Sequence, residues 1–105
     1  MPQRETGKRL SEYNNILKEN DNLYRGVAKR LGLPECAFWI LYTLRADSAA
    51  LTERGAELAE RTVDKVIAAE RKSLLDLTEA EQDAFIGLFR QYTDALERHM
   101  RDLAT

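Results

Sequence analysis

The chain has few residues of the types that catalyse reactions or bind metal ions. His99 is its one histidine and Cys36 its one cysteine, so it offers neither a Cys/His zinc cluster nor an internal disulfide. We predict that His99 is a surface or interface residue near a helix C-terminus, where positive charge is favoured. Cys36 lies in an apolar run, which predicts a buried, inert thiol, with redox sensing as the alternative. We therefore expect no catalytic residue, no metal ligand, no cofactor and no enzymatic activity.

The basic residues form only two mild clusters, one around Arg25 and Lys29 and one at Arg98 and Arg101. Acidic residues are interleaved with them, which is typical of solvated helix faces. With 16 Lys and Arg against 18 Asp and Glu, the formal charge is −2. Such a chain has no overall attraction for nucleic acid, and we assign no DNA-binding residue.

Aromatic residues form the densest group of side chains that could bind a small molecule. Phe38, Trp39 and Tyr42 lie within five positions of one another in the run 36–42. A place in the hydrophobic core is one interpretation of this group, and a pocket for an aromatic ligand is the other.

The composition predicts an all-α protein. Strong helix formers (Ala, Leu, Glu, Arg, Lys, Gln and Met) supply 60 of the 105 residues, whereas Val and Ile supply only seven. Apolar spacings of three, four and seven, interrupted by turn signals, predict four helices in one domain spanning residues 1–105, at about 8–31, 34–45, 53–75 and 79–103. Gly32 is the predicted stop of the first helix, Thr52 an N-cap, and Thr78 with Glu81 a capping box. The first and last helices are long and amphipathic.

The second predicted helix has no polar face over residues 36–42. A helix that is apolar all round is typically buried on most sides. The run is nevertheless far shorter than the ~20 residues that span a bilayer, and the N-terminus has no apolar signal region. We expect a cytoplasmic protein without membrane contact.

Two stretches resemble the MarR family of bacterial transcriptional regulators. The first is LGLPECAFWILYTLRADSAALT, which follows a long first helix and is similar to the family's second helix and its Leu-Thr entry into the third. The second is LTERGAELAERTVDKVIAAERKSLLDLTEAEQDAFIGLFRQYTDALERHM, which is similar to the "Leu-Thr-Glu-x-Gly" after the family's wing and to its two C-terminal helices. Together they cover nearly the whole chain.

In the family, one Leu-Thr pair opens the helix-turn-helix and a second Leu-Thr pair follows the wing. The chain departs from this pattern because Leu51-Thr52 takes the place of both pairs. The sequence contains no segment that matches the family's recognition helix, its Gly-containing wing or its Asp-x-Arg element. The winged helix-turn-helix, which reads the major groove in such regulators, is thus missing from the pattern. Specific DNA binding is therefore not expected.

The resemblance implies that the remaining helices form an intertwined dimerisation bundle, and the two long apolar stripes agree with this. The predicted interface residues are Leu10, Tyr13, Leu17, Phe85, Phe89, Tyr92, Leu96, Met100 and Leu103. The predicted function is a homodimerising interaction module that lacks a DNA-reading element and could pair with a full-length MarR-like paralogue. A DNA-binding regulator and a binder of aromatic small molecules are the alternatives.

Overall fold

The computed structural model describes residues 2–47 and 49–103, with side chains from residue 4 onward. These ranges contain five α-helices and no strand, which confirms the all-α prediction. The helices are α1 (Pro2–Arg30), α2 (Glu35–Ala46), α3 (Glu53–Arg61), α4 (Val63–Leu75) and α5 (Glu79–Leu103). The chain divides into two compact units, Met1–Ile67 and Ala68–Thr105.

The end of α1 follows from Gly32, as predicted. Gly32 has φ +75°, a conformation that L side chains rarely adopt. The Gly32 N–H donates to the Lys29 carbonyl at 3.1 Å, and the Leu33 N–H donates to the Ala28 carbonyl at 3.0 Å. This pair of hydrogen bonds is a Schellman motif, which satisfies carbonyls left without partners at the helix end.

Side-chain caps begin α3 and α5 at the predicted residues. The Thr52 hydroxyl accepts a hydrogen bond from the Gly55 N–H at 3.0 Å. At α5, the Thr78 hydroxyl accepts from the Glu81 N–H at 3.1 Å, and the Glu81 carboxylate accepts from the Thr78 N–H at 2.8 Å. The capping box therefore satisfies two backbone donors that the helix itself leaves unpaired.

The predicted single helix over residues 53–75 is instead two helices, separated at Thr62. Thr62 has φ −126° and ψ −91°, outside the helical range. Its hydroxyl donates to the Leu58 carbonyl at 2.6 Å, a bond that competes with the helix ladder. Thr62 and Val63 are both β-branched, which weakens helix propensity at this point. At the N-terminus, α1 begins at Pro2 rather than near residue 8.

The core of the first unit lies where α2 packs against α1 and α3. Its buried apolar residues are Ala28, Phe38, Ala59, Val63 and Val66. Partly buried side chains surround them, from Tyr24, Val27, Leu31, Leu33, Leu41, Tyr42 and Leu51. The other four buried residues are alanines or come from the alanine-rich α3–α4 segment, so Phe38 is the largest of the five.

The prediction that α2 is buried on most sides is wrong. Phe38 is the buried residue of α2. Ile40 and Leu44 are exposed, and so is Cys36, which corrects its predicted burial. The reason is that α1 and α3 pack against the side of α2 that carries Phe38, which leaves Cys36, Ile40 and Leu44 exposed among the described residues.

An ion pair ties α2 to the start of α4. Arg45 donates from Nε and Nη2 to the two carboxylate oxygens of Asp64, at 2.8 and 2.9 Å. These hydrogen bonds, with the nearby guanidinium charge, lower the pKa of Asp64 below its ordinary value. The bidentate geometry fixes the orientation of the two helices more firmly than a single contact would.

Candidate functional site

One face of α5 carries a continuous stripe of exposed apolar side chains. None of the 25 residues of α5 is buried. The predicted interface residues Phe85, Phe89, Tyr92, Met100 and Leu103 are between 41% and 84% exposed. Leu96 lies in the same stripe and is half-buried. Spacings of three and four residues place all of them on one side of the helix.

The α5 stripe is broader than the sequence pattern indicated. Ile86 and Leu88 are also exposed and flank the Phe85–Phe89 pair, whose ring centroids lie 6.1 Å apart. Ile86 was not among the predicted residues because it falls at the edge of the three-four spacing. The consequence is a wide apolar face rather than a narrow seam.

A second exposed apolar stripe lies on α1, upstream of the part that packs against α2. Leu10 and Leu17 are each 52% exposed, and Tyr13 between them is half-buried. Ile16 and Leu23 extend this stripe and are also exposed, although the sequence pattern did not select them. The nine predicted interface residues thus belong to two stripes, one in each unit.

The predicted pocket residues form part of a four-ring aromatic cluster. Phe38 is fully buried, Trp39 is exposed and Tyr42 is half-buried. The Phe38 ring lies 5.1 Å from Trp39 and stacks on Tyr42 at 6.0 Å. Tyr24 of α1 completes the cluster, with its ring 5.3 Å from Trp39. Sequence reasoning missed Tyr24 as a member, because its position on the apolar face of α1 does not indicate which rings of α2 lie beside it.

Trp39 also lines two open grooves of the first unit. The α2 groove, about 530 Å³, is lined by Cys36, Trp39, Ile40, Thr43 and Leu44. The α1–α2 groove, about 490 Å³, is lined by Leu17, Lys18, Asn20, Asp21, Tyr24 and Trp39. Phe38, by contrast, faces the core, so of the three predicted pocket residues only Trp39 contributes to a groove.

The histidine and the cysteine of the chain lie in different units. His99 lies in the last turns of α5 and is exposed, as is Cys36 on α2. Within residues 2–47 and 49–103, no group of three His, Cys, Asp or Glu residues is placed to hold a metal ion. The notable feature of both units is therefore exposed apolar surface.

Hydropathy along the described helices bears on membrane insertion. No helix in the ranges that the structure covers has both the length and the apolar character to cross a bilayer.

Comparison with known proteins gives no assignment. The chain matches no model of a protein family, no curated protein and no solved structure at a significant level.

Proposed function

We propose that this chain is a self-associating interaction module that corresponds to the dimerisation helices of a MarR-type regulator without the DNA-reading element. The observation that carries the proposal is the exposed apolar stripe of α5. A soluble helix of 25 residues gains most of its stability from covering an apolar face, and α5 has no buried residue. A partner chain that covers the stripe would supply that stability.

The size of the exposed surface is consistent with a stable dimer. Seven large apolar residues of α5 and four of α1 are exposed, most of them by about half. At roughly 80–100 Å² per half-exposed side chain, the two stripes present on the order of 900 Å² of apolar surface. A standard protein interface buries about 800 Å² on each partner. The α5 stripe alone, with seven of these residues, presents on the order of 600 Å², and a contiguous apolar patch of that extent is typical of interaction sites.

The resemblance to MarR-type regulators suggests a biological consequence. A chain with the dimer helices alone could pair with a full-length relative and leave the heterodimer with a single DNA-reading head. Because two half-sites are bound cooperatively through the dimer, such a heterodimer would bind its operator weakly.

Light scattering over a range of protein concentrations tests the self-association. The proposal predicts a molar mass that rises to twice the 12.0 kDa of the chain. A mass of one chain at every concentration would overturn it. Fluorescence anisotropy with duplex DNA at physiological salt tests the proposed lack of a DNA-reading element, which predicts no specific binding. Tight, sequence-dependent binding would favour the DNA-binding alternative.

The α1–α2 groove favours one second candidate function, the binding of a small aromatic molecule. Tyr24 and Trp39 supply ring surface there, and Lys18 and Asp21 supply polar groups at its edge. Trp39 is the only tryptophan, so its fluorescence reports directly on the groove. Saturable quenching by benzoate or phenol would support this function, and unchanged emission across the titration would remove it.

A further inference from the structure

The charged residues of α1 are interleaved along the sequence but separated around the helix. From Arg4 to Lys29, alternating steps of four and three residues place eight side chains along one side of α1. Five of them are basic (Arg4, Lys8, Lys18, Arg25 and Lys29), and the other three are Ser11, Asn15 and Asn22. All eight are exposed. This basic row contains five of the seven basic residues of α1 and none of its four acidic residues.

The basic row faces away from the apolar residues of α1. At about 100° per residue, Tyr13, Tyr24 and Val27 point roughly 150° or more from the middle of the row. Tyr24 and Val27 pack against the core of the first unit, so the row stays exposed when that core forms. One chain carries the whole row, and the row therefore does not depend on the proposed self-association.

Ion pairing leaves most of the positive charge of the row available. Among the described residues, an ion pair involves only one of its five cations, Arg25, which lies 3.2 Å from Asp21 and 3.5 Å from Glu35. Both pairs are exposed, and exposed pairs are weak enough to be exchanged for another anion. The other four cations extend from Arg4 to Lys29, over about 37 Å of helix. The row thus presents local positive charge on a chain whose formal charge is −2.

We propose that the basic row of α1 binds the phosphate backbone of duplex nucleic acid without reading its sequence. Lys and Arg contact backbone phosphates as cations, and Ser and Asn side chains donate hydrogen bonds to the same oxygens. The length of the row, about 37 Å, is close to the roughly 34–36 Å of one duplex turn. Such contacts position a protein on a duplex but carry no sequence information. The inference therefore goes beyond the proposed function, which concerns self-association and the missing sequence-reading element.

The composition and width of the basic row favour a duplex over other polyanions. Single-stranded nucleic acid is usually held by aromatic side chains that stack on its bases, and the row has none. The row covers an arc of about 100° and is flanked by Glu19 and Asp21. A flat anionic membrane would also meet those carboxylates, whereas one line of backbone phosphates meets only the row. An amphipathic helix also enters a membrane through its apolar face, which here lies on the other side of α1.

Fluorescence anisotropy of a labelled DNA duplex of about 20 base pairs, between about 50 and 200 mM sodium chloride, measures this binding. Four contacted phosphates give a slope of about −3.6 in a plot of the logarithm of the association constant against that of the salt concentration, so the affinity falls on the order of 100-fold over this range. Two duplexes of unrelated sequence are expected to bind within about twofold of each other. Absence of binding at the lowest salt concentration, or a preference of about tenfold for one sequence, would overturn the inference.

Removal of two lysines from the basic row tests its role directly. Lys8→Gln with Lys18→Gln removes two phosphate contacts, so we expect the salt slope to change from about −3.6 to about −1.8. The dissociation constant at the lowest salt concentration should rise at least about tenfold. Glutamine is nearly as good a helix former as lysine, and circular dichroism checks that α1 stays helical. Wild-type binding by this variant would contradict the proposal.

Two control variants remove the same amount of charge outside the basic row. Lys65→Gln with Lys72→Gln lies on α4, and Arg9→Gln with Arg30→Gln lies on α1 but off the row. All four residues are exposed, and we expect both variants to bind the duplex with nearly wild-type affinity and salt slope. If either control weakens binding as much as the row variant does, the charge of the chain or of α1 explains the effect and the row is not the site.

Competition with other ligands separates the classes of polyanion. At equal charge concentration, polyglutamate and phosphatidylserine vesicles are expected to displace the labelled duplex less well than unlabelled duplex does, and better displacement by either would overturn the choice of nucleic acid. An RNA duplex as competitor shows whether the preferred backbone is that of DNA or of RNA, and either result agrees with the proposal. A dimeric wild type that binds no duplex overturns this inference alone, whereas a monomeric wild type that binds duplex overturns the proposed self-association alone.

Discussion

Replacement of Phe89 by alanine should weaken self-association strongly. Phe89 is 53% exposed and lies in the middle of the α5 stripe. A phenylalanine side chain offers roughly 200 Å², so about 100 Å² remains for a partner to cover. At about 25 cal/mol per Å², that burial contributes about 2.5 kcal/mol per copy and about 5 kcal/mol in a twofold dimer. Since association recovers only part of such an area estimate, we expect the dissociation constant to rise at least about 100-fold.

Sedimentation equilibrium of the Phe89→Ala variant measures this change. Alanine has a higher helix propensity than phenylalanine, so loss of the helix itself would not explain a weaker dimer. Gln91 is exposed on the opposite side of α5, and Gln91→Ala is the matched control, with wild-type affinity expected. If Phe89→Ala associates as tightly as Gln91→Ala, the stripe is not the interface and the argument from exposed area fails.

Three further predictions concern the folded units themselves. Phe38→Ala should cost about 3–5 kcal/mol in urea unfolding, because Phe38 is fully buried among three other rings; a loss below 1 kcal/mol would contradict this. The Arg45–Asp64 pair lowers the pKa of Asp64 below its ordinary value of 3.8. The pair therefore adds to the free energy of unfolding above pH 3.8, and this contribution is lost as the pH falls below that value. On acidification, the melting temperature of Asp64→Asn should therefore fall less than that of wild type. An equal fall in both proteins would argue against the pair. Thr78→Ala should lower the stability of α5 by about 1 kcal/mol, measured by circular dichroism, and an unchanged melt would show that the capping box is dispensable.

Helix ends were predictable from the sequence because their chemistry is local. Gly32 ends α1 through its own backbone conformation, and Thr78 and Glu81 satisfy each other's backbone donors across three residues. Such features need no information about distant parts of the chain. The two long stripes were predictable for the same reason, since helical spacing alone aligns the side chains.

Features that depend on tertiary packing were not predictable. Two features coincide at the break. The Thr62 hydroxyl donates to the Leu58 carbonyl, and the next residue, Val63, is fully buried in the core of the first unit. The exposure of Cys36 depends on which side of α2 faces α1 and α3, and a helix without polar residues gives no indication of that choice. Tyr24 joins the aromatic cluster only because α1 and α2 cross beside Trp39.

The candidate surfaces were predicted in part. The three-four spacing identified the residues along the middle of each stripe but not the width of the stripe. Ile16 and Ile86 lie at the edges of the periodic pattern, and their exposure depends on what covers them.

Amide hydrogen exchange along α5, compared at low and high protein concentration, tests the central claim most directly. A helix without a buried residue opens easily on its own, so its amides exchange rapidly when the chain is dilute. We expect the amides around Phe89 and Leu96 to become protected as the concentration rises, while those around Phe38 in the first core change little. Protection of α5 that is the same at every concentration would contradict the account, because its apolar face would then need no second copy.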